Sequence, residues 1–225
     1  MEISNIILII TAVILFVTLI VMQKGNMENV GFNRLQAAGN TIMKQIEFHN
    51  NLLKGISITK KGIVAPNVPN IAYGQDAFKI FYEDLEGFYK DRKENYNDTI
   101  NDEDKRIRDS YNQLYNKYPS QLGNYFKNLY LMVFYIDYIN SRKIKGFNKD
   151  YYISLIKAQL SKYEILLLPY NCIWIQRKAK PEGQNFIEFA KTYNLLSALE
   201  TDELIESVSS VKHIDLFKDL YGITF

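Results

Sequence analysis

Hydrophobic positions follow two regimes along the chain. Residues 3–22, ISNIILIITAVILFVTLIVM, carry no charge and are apolar on every side. A run of roughly 20 residues at about 1.5 Å rise covers the ~30 Å hydrocarbon core of a bilayer. A cleaved signal peptide wants a basic leading segment, a shorter apolar run and small residues at the cleavage point. MEISN has an acid and no base, and Val21-Met22-Gln23 cleaves poorly. The run therefore reads as an uncleaved transmembrane anchor within residues 1–24, leaving 25–225 as the body.

From Phe32 the period becomes helical. Phe32, Leu35, Gly39, Ile42, Ile46, His49, Leu53 and Ile56 alternate at spacings of three and four, as one buried stripe requires. Lys44, Glu47 and Lys54 fall off the stripe. His49 is thus expected to be buried, beside a residue of the 125–139 or 151–171 helices. Residues 57–74, with prolines at 66 and 69 and glycines at 62 and 74, read as a long loop with a short hairpin. Ala77, Phe78, Phe81, Leu85 and Phe88 restore helical spacing, and the mixed charges of 91–109 read as a solvated helix end and linker.

The strongest core signal lies at 121–141. Leu122, Tyr125, Phe126, Leu129, Val133, Ile136 and Ile139 share one side, while Tyr130, Phe134 and Tyr138 lie on others, predicting wide burial. Residues 151–176 read as one helix capped by Asp150 and kinked at Pro169. Lys157, Lys162, Glu164 and Asn171 keep it from being a second span. The segments 188–199 and 214–225 complete an all-α bundle of long amphipathic helices.

Composition changes this picture little. A net charge of +2 is too small to argue for nucleic acid. Cys172 is the single cysteine, and the two histidines, His49 and His213, are far apart, so no disulfide framework, metal site or cofactor is expected. Phosphate loops, GxSxG elbows and HExxH pairs are absent. Neither histidine follows an arginine at the four-to-six spacing of a helical ribonuclease. Cys172 with His49 makes a poor nucleophile pair, because Cys172 sits in an apolar run without an oxyanion-forming turn.

Polar residues on apolar faces carry the remaining chemistry. Glu164 and Asn171 share a stripe with Leu160 and Leu167, and a carboxylate among leucines needs a partner. His49, Asn50, Gln159, Tyr163, Glu164, Tyr170 and Asn171 form the predicted polar core network. Its sharper alternative is a catalytic His49–Glu164 acid–base pair in a cleft. Arg142, Lys143, Lys145 and Arg177, Lys178, Lys180 form basic clusters at opposite ends of the 151–176 helix, with Lys60 and Lys61 elsewhere. Solvated helix ends account for most such clusters, and anionic headgroups are as good a partner as nucleic acid.

An N-terminal span followed by EFHNNLLKGI, GQDAFKIFYEDL, YFKNLYLMVFYID and AQLSKYEILLLPYNC resembles the family of phage abortive infection proteins, from about Phe32 to about Leu199. Its most specific part is Ala158–Asn171. The resemblance implies a bacterial, membrane-anchored antiphage protein whose action arrests or kills the infected cell. It supplies no catalytic residues. Lys24 and Arg34 follow the span and no Lys or Arg precedes it, which places the body in the cytoplasm and the span in the inner membrane. The expected partners are the membrane, a phage or host protein, or a second copy, with nucleic acid disfavoured. Catalysis is not expected, and an inner-membrane scaffold unrelated to phage is the third reading.

Overall fold

In a computed structural model the first helix, α1, runs unbroken over Ile3–Gly55. The described backbone covers residues 3–59, 71–95, 103–176, 181–199 and 204–205, with side chains over 14–59, 71–92, 103–175, 186–199 and 204–205. At about 1.5 Å per residue, the 53 residues of α1 make a rod roughly 80 Å long. Only its last third packs. Ala38, Ile42, Ile46, His49 and Leu53 are buried. Phe32, expected on the buried stripe, is 65% exposed. The stripe begins about a turn later because the described body reaches back only as far as Leu35. There, a Cβ on Gly146 would come within 3.2 Å of Leu35 Cδ2.

Among the described residues no helix is long and apolar enough to cross a membrane. The side chains of residues 3–13, over half of the expected span, lie outside the described set. The large apolar residues from Ile14 to Met22 are helical and exposed.

After α1 the chain makes the expected short hairpin. β1 (Ser57–Thr59) pairs antiparallel with β2 (Ile71–Tyr73), with Ile58 opposite Ala72. Gly74 then takes φ +55, a left-handed conformation open to glycine, and its N–H bonds Ile56 O at 3.0 Å. α2 (Gln75–Asn95) buries Ala77, Phe78, Phe81, Leu85 and Tyr89. Phe88 only packs at the margin of that core.

The charged stretch 91–109 departs from a solvated linker. From Glu103 it is already α3 (Glu103–Lys117), with Ile107 and Ser110 buried. Its charges are largely paired: Arg92–Asp109 and Arg106–Glu103 at 3.0 Å, Arg108–Asp104 at 3.1 Å. The Tyr89 hydroxyl donates to Glu103. Charge density hid an apolar period of Ile107, Tyr111 and Leu114.

α4 (Pro119–Ser141) starts with proline in its first turn, where the missing N–H costs nothing. It buries all seven residues of the predicted face. Phe134 and Tyr138 remain 43% and 41% exposed, so burial is one-sided rather than wide.

The expected single helix over 151–176 is two. α5 (Lys149–Gln159) is capped by Asn148, whose side chain accepts the Tyr151 N–H, and not by Asp150. The chain turns extended at Leu160, and α6 (Lys162–Gln176) follows with Pro169 inside it. The break therefore lies before Pro169, at Leu160-Ser161, and Ser161-Lys162-Tyr163-Glu164 opens the new helix. Glu164 Oε2 reaches back to accept the Ser161 N–H at 2.6 Å, half of the reciprocal capping pair that starts a helix.

Every residue from Glu164 to Trp174 is buried, so α6 is the central helix, packed on α2, α3 and α7 (Pro181–Thr192). α1 packs chiefly on α4. Of the two last expected helices, 188–199 is described as the end of α7 and following turns. The other, 214–225, lies outside the described residues.

Candidate functional site

Two of the buried polar residues, His49 and Glu164, lie where α1, α4 and the start of α6 approach one another. The helical stripe of α1 turns His49 inward, leaving it 2% exposed. Its Nδ1 lies 2.9 Å from Asn128 Oδ1 on α4. A carboxamide oxygen only accepts, so Nδ1 carries the proton and Nε2 presents a lone pair. Nε2 is buried without a hydrogen-bond partner. Burial lowers the His49 pKa, and the Asn128 bond partly offsets that. The imidazole is therefore neutral near pH 7.

Tyr125, one turn before Asn128, packs its ring on His49 with centroids 4.7 Å apart. Its hydroxyl is fully buried, and its pKa is pushed well above the usual phenol range by burial and then by the Glu164 carboxylate. Tyr125 thus packs on one member of the predicted acid–base pair and feels the charge of the other, and no direct hydrogen bond joins His49 to Glu164 among the described residues. Glu164 is 2% exposed. One carboxylate oxygen caps α6, and the other, Oε1, is buried without a hydrogen-bond partner, as are Tyr125 Oη and Ser161 Oγ.

The rest of the predicted network divides into separate pairs. Asn50 Nδ2 donates to Gln159 Oε1 at 3.1 Å near the surface, joining α1 to the end of α5. Gln75 Nε2 reaches the Gln159 carbonyl at 3.4 Å. Asn171 is buried two turns further along α6, where the Tyr111 hydroxyl donates to its Oδ1 at 2.9 Å. The Tyr170 hydroxyl accepts the Ile205 N–H at 3.3 Å, and Tyr163 meets the Tyr82 ring at 6.0 Å.

Tyr125, Asn128, Tyr111 and Ser161 belong to these contacts and were not singled out from sequence as polar partners. Ser161 could have been: the Ser-x-x-Glu spacing is a helix-start signature. Asn128 follows Tyr125 by three, which places it on the same helix face.

Arg142, Lys143 and Lys145 are exposed in the turn after α4. Arg177, Lys178 and Lys180, with Lys60, Lys61 and His213, lie outside the described residues. Among the described residues no group of three His, Cys, Asp or Glu side chains could hold a metal ion. Chemically the junction offers a neutral imidazole, a phenol and a carboxylate around one point. All three are enclosed by side chains, and one carboxylate oxygen already serves the helix start.

No curated protein and no solved structure matches the chain. A family match does exist, and it is narrower than the resemblance read from sequence. YFKNLYLMVFYID and AQLSKYEILLLPYNC fall inside it, whereas EFHNNLLKGI and GQDAFKIFYEDL precede it. Residues 117–204, running from the end of α3 through α7 to Leu204, match the family described as "Putative phage abortive infection protein".

Proposed function

We propose that the chain is a membrane-anchored antiphage defence protein of the bacterial inner membrane. Its body lies in the cytoplasm and acts by abortive infection through association with the membrane or a phage component. The observation that carries the reading is the family match over residues 117–204. The anchor is supported by the uncharged run at 3–22, by exposed apolar residues from Ile14 to Met22, and by the unbroken helix joining them to the core. Lys24 and Arg34 after the run support the cytoplasmic orientation. Enclosure of His49 and Glu164, with Glu164 engaged at a helix start, supports action without catalysis.

The test is phage plating efficiency and survival of infected cells, comparing the full chain with a variant lacking residues 3–22. Protection that disappears without the run, at equal protein level, is the expected result. Equal protection from both would reduce the anchor to an address, and no protection from either against a broad phage panel would remove the defence reading.

One observation favours a second reading, a tethered enzyme using His49 and Glu164. His49 Nε2, Tyr125 Oη and Glu164 Oε1 are all buried and unpartnered around one phenol ring. A folded His49→Gln variant that protects fully would sink it.

A further inference from the structure

We propose that the turn between α4 and α5, residues 142–149, is a contact surface for anionic lipid headgroups. The proposal rests on the membrane-anchored reading above. The stretch RKIKGFNK holds four cations and no acid. Arg142, Lys143 and Lys145 are exposed, with no carboxylate partner among the described residues.

Placement is the first argument. Tyr125 and Asn128, early in α4, meet His49 near the end of α1. Gly146 and Tyr152, after α4, lie against Leu35 and Gly39, well up α1. α4 therefore runs antiparallel to α1 and delivers its C-terminal turn to the end of the body nearest the exposed apolar segment. From Leu35 back to Met22 is about 20 Å of helix. A lysine side chain spans roughly 6 Å of this, and the headgroup layer another ~6 Å. The remaining gap is about one Debye length at physiological salt with α1 upright, and helix tilt closes it.

Local cost is the second argument. Lys143 takes φ +52, where glycine would be cheaper. Lys149 opens α5, where the helix dipole disfavours a cation. The α4 dipole favours cations at Arg142 and Lys143 but does not ask for the left-handed backbone at 143, and Lys149 lies 5.4 Å over the Tyr193 ring at the inner edge of the cluster. Exposed Tyr138 and Tyr151 flank the cluster, and Arg142 lies 4.8 Å over the Tyr138 ring, an arrangement suited to a membrane–water boundary. Asp137, which accepts the Tyr193 hydroxyl, and exposed Asp150 are the neighbouring acids, and against four cations they leave the cluster net positive.

The experiment reconstitutes the full chain into phosphatidylcholine vesicles and into vesicles containing 30% phosphatidylglycerol. Trypsin cleavage after Lys143 and Lys145 is followed, normalised to cleavage after exposed Lys79 on α2. Each cation near an anionic surface is worth roughly fivefold in binding. Cleavage should therefore slow at least about tenfold in the anionic vesicles and recover in high salt. Equal rates in both vesicles, with the chain carbonate-resistant in both, would overturn the lipid contact and leave the anchor standing. Failure to stay with either vesicle would remove the anchor and the contact together. Protection in neutral vesicles by an added RNA oligomer, with none from anionic lipid, would overturn the proposal in favour of nucleic acid.

Discussion

Acidification should weaken this fold through His49, by an amount the structure bounds. The imidazole is 2% exposed, and burial holds its pKa below the ordinary value of 6.5. Below pH 6.5 the unfolded chain therefore binds a proton at this position that the folded chain refuses. Stability rises with pH wherever the unfolded state binds more protons, so this contribution is intact above pH 6.5 and is lost as the pH falls beneath it. At pH 5.5 the loss approaches about 1.4 kcal/mol, one pH unit's worth, when the folded-state pKa lies well below that pH. With a urea slope of roughly 2 kcal/mol/M, the unfolding midpoint should drop by about 0.7 M between pH 7.5 and 5.5. The assay is urea unfolding of the full chain in detergent micelles, comparing wild type with His49→Gln. His213 is present in both, so the difference between their pH slopes isolates His49. A difference of zero, or a wild type that gains stability in acid relative to His49→Gln, would refute the buried neutral imidazole.

Tyr111→Phe leaves the buried Asn171 Oδ1 without its 2.9 Å donor and should cost about 1–3 kcal/mol in the same unfolding assay. Glu164→Ala removes the carboxylate that accepts the Ser161 N–H and should cost about 1–2 kcal/mol. Glu164→Gln, which keeps an acceptor, should cost measurably less. An Ala variant as stable as wild type would show that the capping contact contributes nothing. Lys143→Gly relieves a lysine at φ +52 and should raise stability by up to about 1 kcal/mol, the strain relieved less the extra freedom of glycine in the unfolded chain.

The helical architecture was legible because its apolar periods are long. The stripe from Ile42 to Ile56 and the face from Leu122 to Ile139 could be read directly, and both are buried. Those same periods placed His49 beside the 125–139 or the 151–171 helices, and Tyr125 and Asn128 of the former meet it. Two signals were overridden by louder ones. In 103–117 the charged residues masked Ile107, Tyr111 and Leu114, because paired surface charges and an apolar face can share a helix at different angles. In 149–176 Pro169 drew attention from the Ser161–Glu164 signature, although a proline can sit inside a helix that neighbours hold on all sides, and a capping pair starts a new one. The subdivision of the polar network was not legible at all. Residues seven apart on one helix, such as Glu164 and Asn171, share a face but stand about 10 Å apart along the axis. Buried on all sides within α6, they find different neighbours, Tyr125 for one and Tyr111 for the other.

α1 passes through Gly25, Gly31 and Gly39 without interruption, so the segment outside the body and the segment inside it share one axis. A rod without a joint transmits torque. Successive residues on it are set about 100° apart. A twist of that size imposed at Ile14 would bring a flanking residue, solvent-facing Phe48 or half-buried Asn50, to the place where His49 meets Tyr125 and Asn128. The angular setting of the outer end and the packing of the core are, in that sense, one mechanical variable.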